Sequence, residues 1–185
     1  MRIKKAPVTW IIFIISVFIY ITARVNGPES VRFLALVYED LPQKWYTLFS
    51  YGFVHIELYH ILLNMTVLIF IGSWVEILLG KKRYLILIFL GILAGGMTLI
   101  LRETGGIGFS AAGFSILFYY YLAFPWEREL PFHLPNILLP LTLLVISILA
   151  IMLGWLPTVG HYPHIAGAIV GIILLPIFRS SHNYN

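Results

Sequence analysis

The chain contains no cysteine among its 185 residues, which excludes disulfides, thiolate nucleophiles and cysteine-bound metals. Charge is also scarce. Asp, Glu, Lys and Arg make up 11% of the sequence, against about 25% in ordinary soluble domains, and a soluble domain is thereby excluded. Other features are missing too: the apolar–polar alternation of a membrane β-strand, an H-E-x-x-H zinc motif, internal repeats and low-complexity tracts. What is present is apolar side chain, 60% of the residues. An all-α integral membrane protein is the expectation, because lipid offers no partner to an unpaired backbone group and a helix satisfies its own. The net charge of +4 requires no nucleic acid, since the basic residues fall in loops and termini, where membrane orientation needs them.

Six apolar runs stand out, at 7–25, 55–79, 83–101, 108–124, 135–155 and 161–178, most of them near the ~20 residues that cross a hydrocarbon core. The expectation is a single domain over residues 1–185, a six-transmembrane-helix bundle with short loops. The first run follows Arg2, Lys4 and Lys5 as a signal peptide would, but it is longer than a typical signal core and no small-x-small cleavage site closes it, so it reads as a retained anchor. Lys and Arg divide unevenly between alternate loops: positions 2, 4, 5, 81, 82, 83, 128 and 179 on one side, 24, 32, 44 and 102 on the other. This puts both termini in the cytoplasm and the segment 26–54 outside. A prokaryotic cell membrane is the default setting. The stretch "FLALVYEDLPQKWYTLFSYGF" within that outer segment is too aromatic for a free linker and is expected to lie in the membrane interface.

Polar side chains inside a membrane are expensive and mark functional sites unless they latch helices together. Here they gather at one end. With the orientation above, "HIELYHILLN" at 55–64, "TGGIGFSAAGFS" at 104–115 and "HYPHIAG" at 161–167 all lie in the outer third of the bundle. At 100° per residue, His60 and Asn64 share a face of the second helix, whereas His55 lies about 140° around from His60. The pair is expected to face inward, and His55 and Glu57 are expected to meet water or headgroups. From Gly108 to Phe124 the fourth span gives only about 25 Å of helix against a core of about 30 Å, so its glycine-rich approach is expected to dip inward and leave Ser110 at the floor of a wet depression. On the sixth helix, Gly167 and Gly171 form a G-x-x-x-G surface with His164 on nearly the same face. Ala111, Ala112 and Gly113 are small as well. Close approach of these backbones would bring Ser110 and His164 within hydrogen-bond reach, a nucleophile beside its base.

These residues resemble a known family. His-x4-His-x3-Asn at His55, His60 and Asn64, G-x-S at Gly108 to Ser110, and His-x2-Gly-x3-Gly at His164, Gly167 and Gly171 are similar to the motifs of the rhomboid intramembrane serine proteases, in order and on the expected side. The resemblance implies a Ser110–His164 dyad that cleaves a peptide bond in the transmembrane segment of a membrane-protein substrate. It also implies an oxyanion hole formed by His60, Asn64 and the Ser110 backbone N–H, with Gly108, Gly113, Gly167 and Gly171 as packing positions at the site. His55 is implied to support local structure. No cofactor or metal is expected, and the partners are substrate transmembrane segments and the lipid bilayer.

The chain also departs from the family pattern. Ala111 stands where a glycine often follows the serine, Phe114 where a tyrosine often stacks on the histidine, and the Trp-Arg pair common in the first external loop is replaced near Trp45, Tyr46 and Thr47. No acid is in register to orient His164. Two rival readings remain: a catalytically inactive client-binding relative, and a transporter lined by histidines. The second is opposed by helix-2 histidines that are expected to point apart and by the lack of a carboxylate in the cluster.

Overall fold

A computed structural model describes residues 5–157 and 159–179. Arg2, Lys4 and the two termini, which enter the orientation argument, lie outside the described residues. Within them the chain is helical, with one isolated antiparallel bridge between Leu36 and Gly106 as its only β feature. The main elements are α1 (Pro7–Asn26), α2 (Leu58–Val67), α3 (Ser73–Leu101), α4 (Ser110–Ala123), α5 (Leu138–Leu153) and α6 (His161–Arg179), with a π-helical turn, Leu68–Gly72, joining α2 to α3. Pro7–Asn26, Leu58–Leu101 and His161–Arg179 are long and apolar enough to cross a membrane, and Ser110–Ala123 and Leu138–Leu153 are shorter apolar helices. The chain is a multi-pass integral membrane protein.

A straight helix over Leu58–Leu101 would measure about 66 Å, twice a hydrocarbon core. Gly80 prevents this with φ +73 and ψ 161, a conformation that an L side chain rarely adopts. The chain then doubles back. Tyr84 reaches Gly72, and Ile92 returns to Gly52, each close enough that a Cβ on the glycine would collide. The second run therefore begins at Leu58 and not at His55, and the third begins directly after Gly80.

Glu76 is buried, and its two oxygens accept the Val8 and Thr9 N–H groups at 2.9 and 2.7 Å. A carboxylate removed from water must be paired, and the unsatisfied N–H groups at the start of α1 supply that pairing. The hydroxyls of Thr9 and Tyr84 meet at 3.1 Å beside it. The contact ties α1 to the end of the second run at the side opposite the site.

α4 is the central helix, buried along most of its length, and α6 lies closely against it. At Gly167 an added Cβ would overlap the Ala111 carbonyl, and at Gly171 it would stand 2.5 Å from the Ser115 carbonyl oxygen. Ser115 reinforces the crossing by donating to Ala111 O at 3.1 Å and to Gly167 O at 2.9 Å. Arg179 closes the far end by donating to the Ala123 carbonyl, where the last turn of α4 leaves carbonyls without an intrahelical partner. The 26–54 segment is not extended but wound into short turns, Pro28–Leu34, Tyr38–Asp40, Thr47–Ser50 and Tyr51–Phe53.

Candidate active site

The glycine-rich loop before α4 is held from two sides. Leu36 and Gly106 exchange N–H···O bonds of 3.2 and 2.9 Å, and the Gly108 N–H donates to Tyr51 O at 2.9 Å. Tyr51 in turn donates its hydroxyl to Ile92 O at 2.7 Å. Gly108 has φ +112, and a Cβ there would lie 2.5 Å from the His60 ring. Two separate reasons thus require glycine: the backbone conformation and the imidazole that occupies its side-chain space.

Immediately after this loop Ser110 opens α4. The first bond within the helix runs from Gly113 N–H to Phe109 O, which leaves the N–H groups of Ser110, Ala111 and Ala112 ahead of it. The N–H of Phe109 is taken by His55 Nε2 at 3.3 Å. His55 corrects the sequence-based expectation twice. It is fully buried, away from water and headgroups, and its ring lies 4.9 Å from that of His60 in an edge-on contact. The helical angle does not apply to it, because the helix starts three residues later. Burial, with a smaller contribution from neighbouring His60, lowers the His55 pKa from 6.5 to about 3. The neutral ring accepts at Nε2 and has Nδ1 facing Phe53 O at 3.4 Å, so it braces the loop before α4.

His60 and Asn64 do share a face. The Asn64 side chain is buried and one of its amide N–H groups donates to His60 O at 3.0 Å, leaving the other free for a further acceptor. His164 stands on the first turn of α6, its N–H bonded to Gly160 O at 3.0 Å, with Pro163 ahead of it at a position where no intrahelical N–H is needed. Phe114 stacks on the His164 imidazole with centroids 4.3 Å apart and planes 9° from parallel. The aromatic ring is retained without a hydroxyl.

Ser110, His164, His60 and Asn64 all line one cavity of about 540 Å³, with Gly108 and Gly113 also in its wall. No hydrogen bond joins Ser110 to His164, although the small-residue packing suggests one; catalytic hydrogen bonds are often loose before substrate binds. Gly113 is expected as a packing position, but the structure gives it room: an added Cβ would make ordinary contacts with Val67 at 3.8 Å and Asn64 at 3.9 Å. Of the four expected packing positions, Gly108, Gly167 and Gly171 are closely packed and Gly113 is not.

Glu57 also lines the cavity, with a carboxylate oxygen 3.8 Å from His60 Nδ1. The sequence reading places no carboxylate in this cluster, and the structure corrects it. An i, i+3 spacing to His60 was the available signal. His161 is buried beside His164, ring centroids 6.1 Å apart, and neither of its ring nitrogens has a hydrogen-bond partner among the described residues.

Comparison with known proteins places the chain in a family. Residues 42–181 match the Rhomboid domain family. The chain is 29% identical over 180 residues to a protein named Rhomboid protease GlpG from Salmonella choleraesuis, and 28% identical over 180 residues to proteins of the same name from Salmonella newport and Salmonella typhimurium. Each alignment covers 94% of this chain and 64% of the relative.

Proposed function

The chain belongs to the rhomboid family, and from that membership we propose that it is an intramembrane serine endopeptidase acting on a peptide bond in or near the transmembrane segment of a membrane protein. The observation that carries the proposal is the convergence of Ser110, His164, His60 and Asn64 on one cavity. In this reading the Ser110 hydroxyl attacks the scissile carbonyl while His164 takes its proton. The tetrahedral oxyanion is met by the free N–H of Ser110, the second amide N–H of Asn64 and the His60 ring. His164 then returns the proton to the leaving amine and activates the water that releases the acyl group. In a low-dielectric pocket each oxyanion donor contributes up to about 3–4 kcal/mol to the transition state.

The same proposal includes a single domain of six spans, reading the reversal at Gly80 as the turn between the second and third, with both termini cytoplasmic and the site near the outer surface. Partners are substrate transmembrane segments and the surrounding lipid. One observation favours an inactive, client-binding relative instead, the lack of a Ser110–His164 hydrogen bond. The readings separate when the purified chain in liposomes is given a single-span peptide substrate. Cleavage by the natural chain and none by Ser110→Ala or His164→Ala is expected; no cleavage by the natural chain, with the peptide still bound, would favour the inactive reading.

A further inference from the structure

The cavity that holds Ser110, His164, His60 and Asn64 has a neutral wall, histidines aside, except for one side chain, Glu57. Glu57 sits just before α2, where a short polar side chain ordinarily caps the first N–H groups, and it makes no such bond. Its side chain is 50% exposed, and its one ion-pair contact among the described residues is His60 Nδ1 at 3.8 Å, beyond hydrogen-bond distance. A neutral imidazole at that distance leaves the carboxylate's charge uncompensated. Arg32, Lys44 and Arg102, at this end of the bundle, are engaged elsewhere: the first two pair with Glu29 and Asp40, and the third lies over the Tyr162 ring. The cavity thus carries a negative charge that no Lys or Arg among the described residues pairs with.

We infer that Glu57 is a specificity-determining residue, which selects substrates carrying a lysine or arginine close to the scissile bond and disfavours those carrying an acid there. The inference rests on the proposed protease activity and names its substrate class. Two effects act in the same direction. A substrate cation gains an ion pair with a carboxylate that is accessible and has no competing basic partner. The carboxylate also stands beside His60, a proposed donor to the oxyanion, where a negative charge opposes the charge that develops in the transition state; a substrate cation offsets that opposition. An acidic substrate side chain meets the same charge as repulsion, so selection works by rejection as well as by attraction. With the site near the outer surface, a basic residue is a discriminating mark, because Lys and Arg are concentrated on the cytoplasmic flanks of membrane spans.

The test uses the full chain in liposomes of zwitterionic lipid, with single-span peptides identical except for Lys, Gln or Glu at one position, moved residue by residue through the segment around the scissile bond. Ratios of kcat/KM between peptides are compared, so that a change common to all of them cancels. The natural chain is expected to favour the Lys peptide over the Gln peptide by about threefold at the best position, and Gln over Glu by a similar factor. Glu57→Gln is expected to bring both ratios close to one, and Glu57→Lys to reverse their order. The preference of the natural chain is also expected to shrink as salt is raised, which a merely structural role at the start of α2 would not produce. Fluorophosphonate labelling of Ser110 reports that each variant is folded, and Glu57→Gln alone decides if Glu57→Lys is not labelled. Equal cleavage of the three peptides at every position, or a preference that survives in Glu57→Gln, would overturn the inference while cleavage and labelling persist. Absence of both in the natural chain would remove the protease reading itself.

Discussion

Two serines on α4 show how position decides chemistry for a single residue. Ser115 is buried with its hydroxyl already donating to Ala111 O and Gly167 O, the ordinary fate of a serine within a helix. Ser110 is at the helix start, on the cavity, next to free N–H groups. Asn64→Ala is expected to lower kcat by about 10²-fold with little change in KM, because a donor to the oxyanion acts mainly in the transition state; steady-state kinetics on a single-span peptide checks it, and a full-rate variant would make Asn64 a structural latch. His55 supports a different expectation. A buried imidazole whose pKa drops from 6.5 to about 3 stabilises the fold above pH 6.5, and that contribution is lost progressively as pH falls toward 3, since the unfolded chain takes up the proton first. The melting temperature in detergent should therefore fall on acidification through this window, and the fall should be smaller in His55→Gln than in the natural chain.

At the scale of elements, the crossing of α4 and α6 depends on glycine at one position more than at its neighbour. A Cβ at Gly167 meets the Ala111 backbone, which cannot rotate away, whereas a Cβ at Gly113 makes only ordinary contacts with Val67 and Asn64. Gly167→Ala is expected to part the helices, costing about 1–3 kcal/mol of stability and displacing His164 from Ser110. Gly113→Ala should keep the melting temperature and narrow the cavity. Thermal unfolding in detergent distinguishes the two, and equal stability of both variants would mean that the crossing is looser than these contacts show. The G-x-x-x-G spacing made the Gly167–Gly171 surface legible in the sequence; that Gly113 lines the cavity instead depends on how α4 is rotated, which no spacing within α4 records.

For the molecule as a whole, the apolar runs gave the helical regions and, with the polar clusters, brought the four site residues to one cavity. What was not legible depends on where a helix starts or on a contact between distant segments. His55 was placed by helical angle on a helix that begins only at Leu58; Glu57 is exposed to water as expected, though it also stands 3.8 Å from His60; and an interhelical partner for Glu76 was expected, but not that it would be the start of α1, 67 residues away. Orientation in the membrane is testable because the chain has no cysteine. A cysteine introduced as Glu39→Cys, an exposed position, should react with an impermeant maleimide added outside intact cells; reaction only after the cytoplasm is opened would reverse the topology. The most direct measurement for the central claim is reaction of the natural chain with a fluorophosphonate followed by peptide mass mapping. The account predicts a single adduct, on Ser110, that is lost in Ser110→Ala and retained in Ser115→Ala; an adduct on Ser115, or labelling that survives the loss of Ser110, would contradict it.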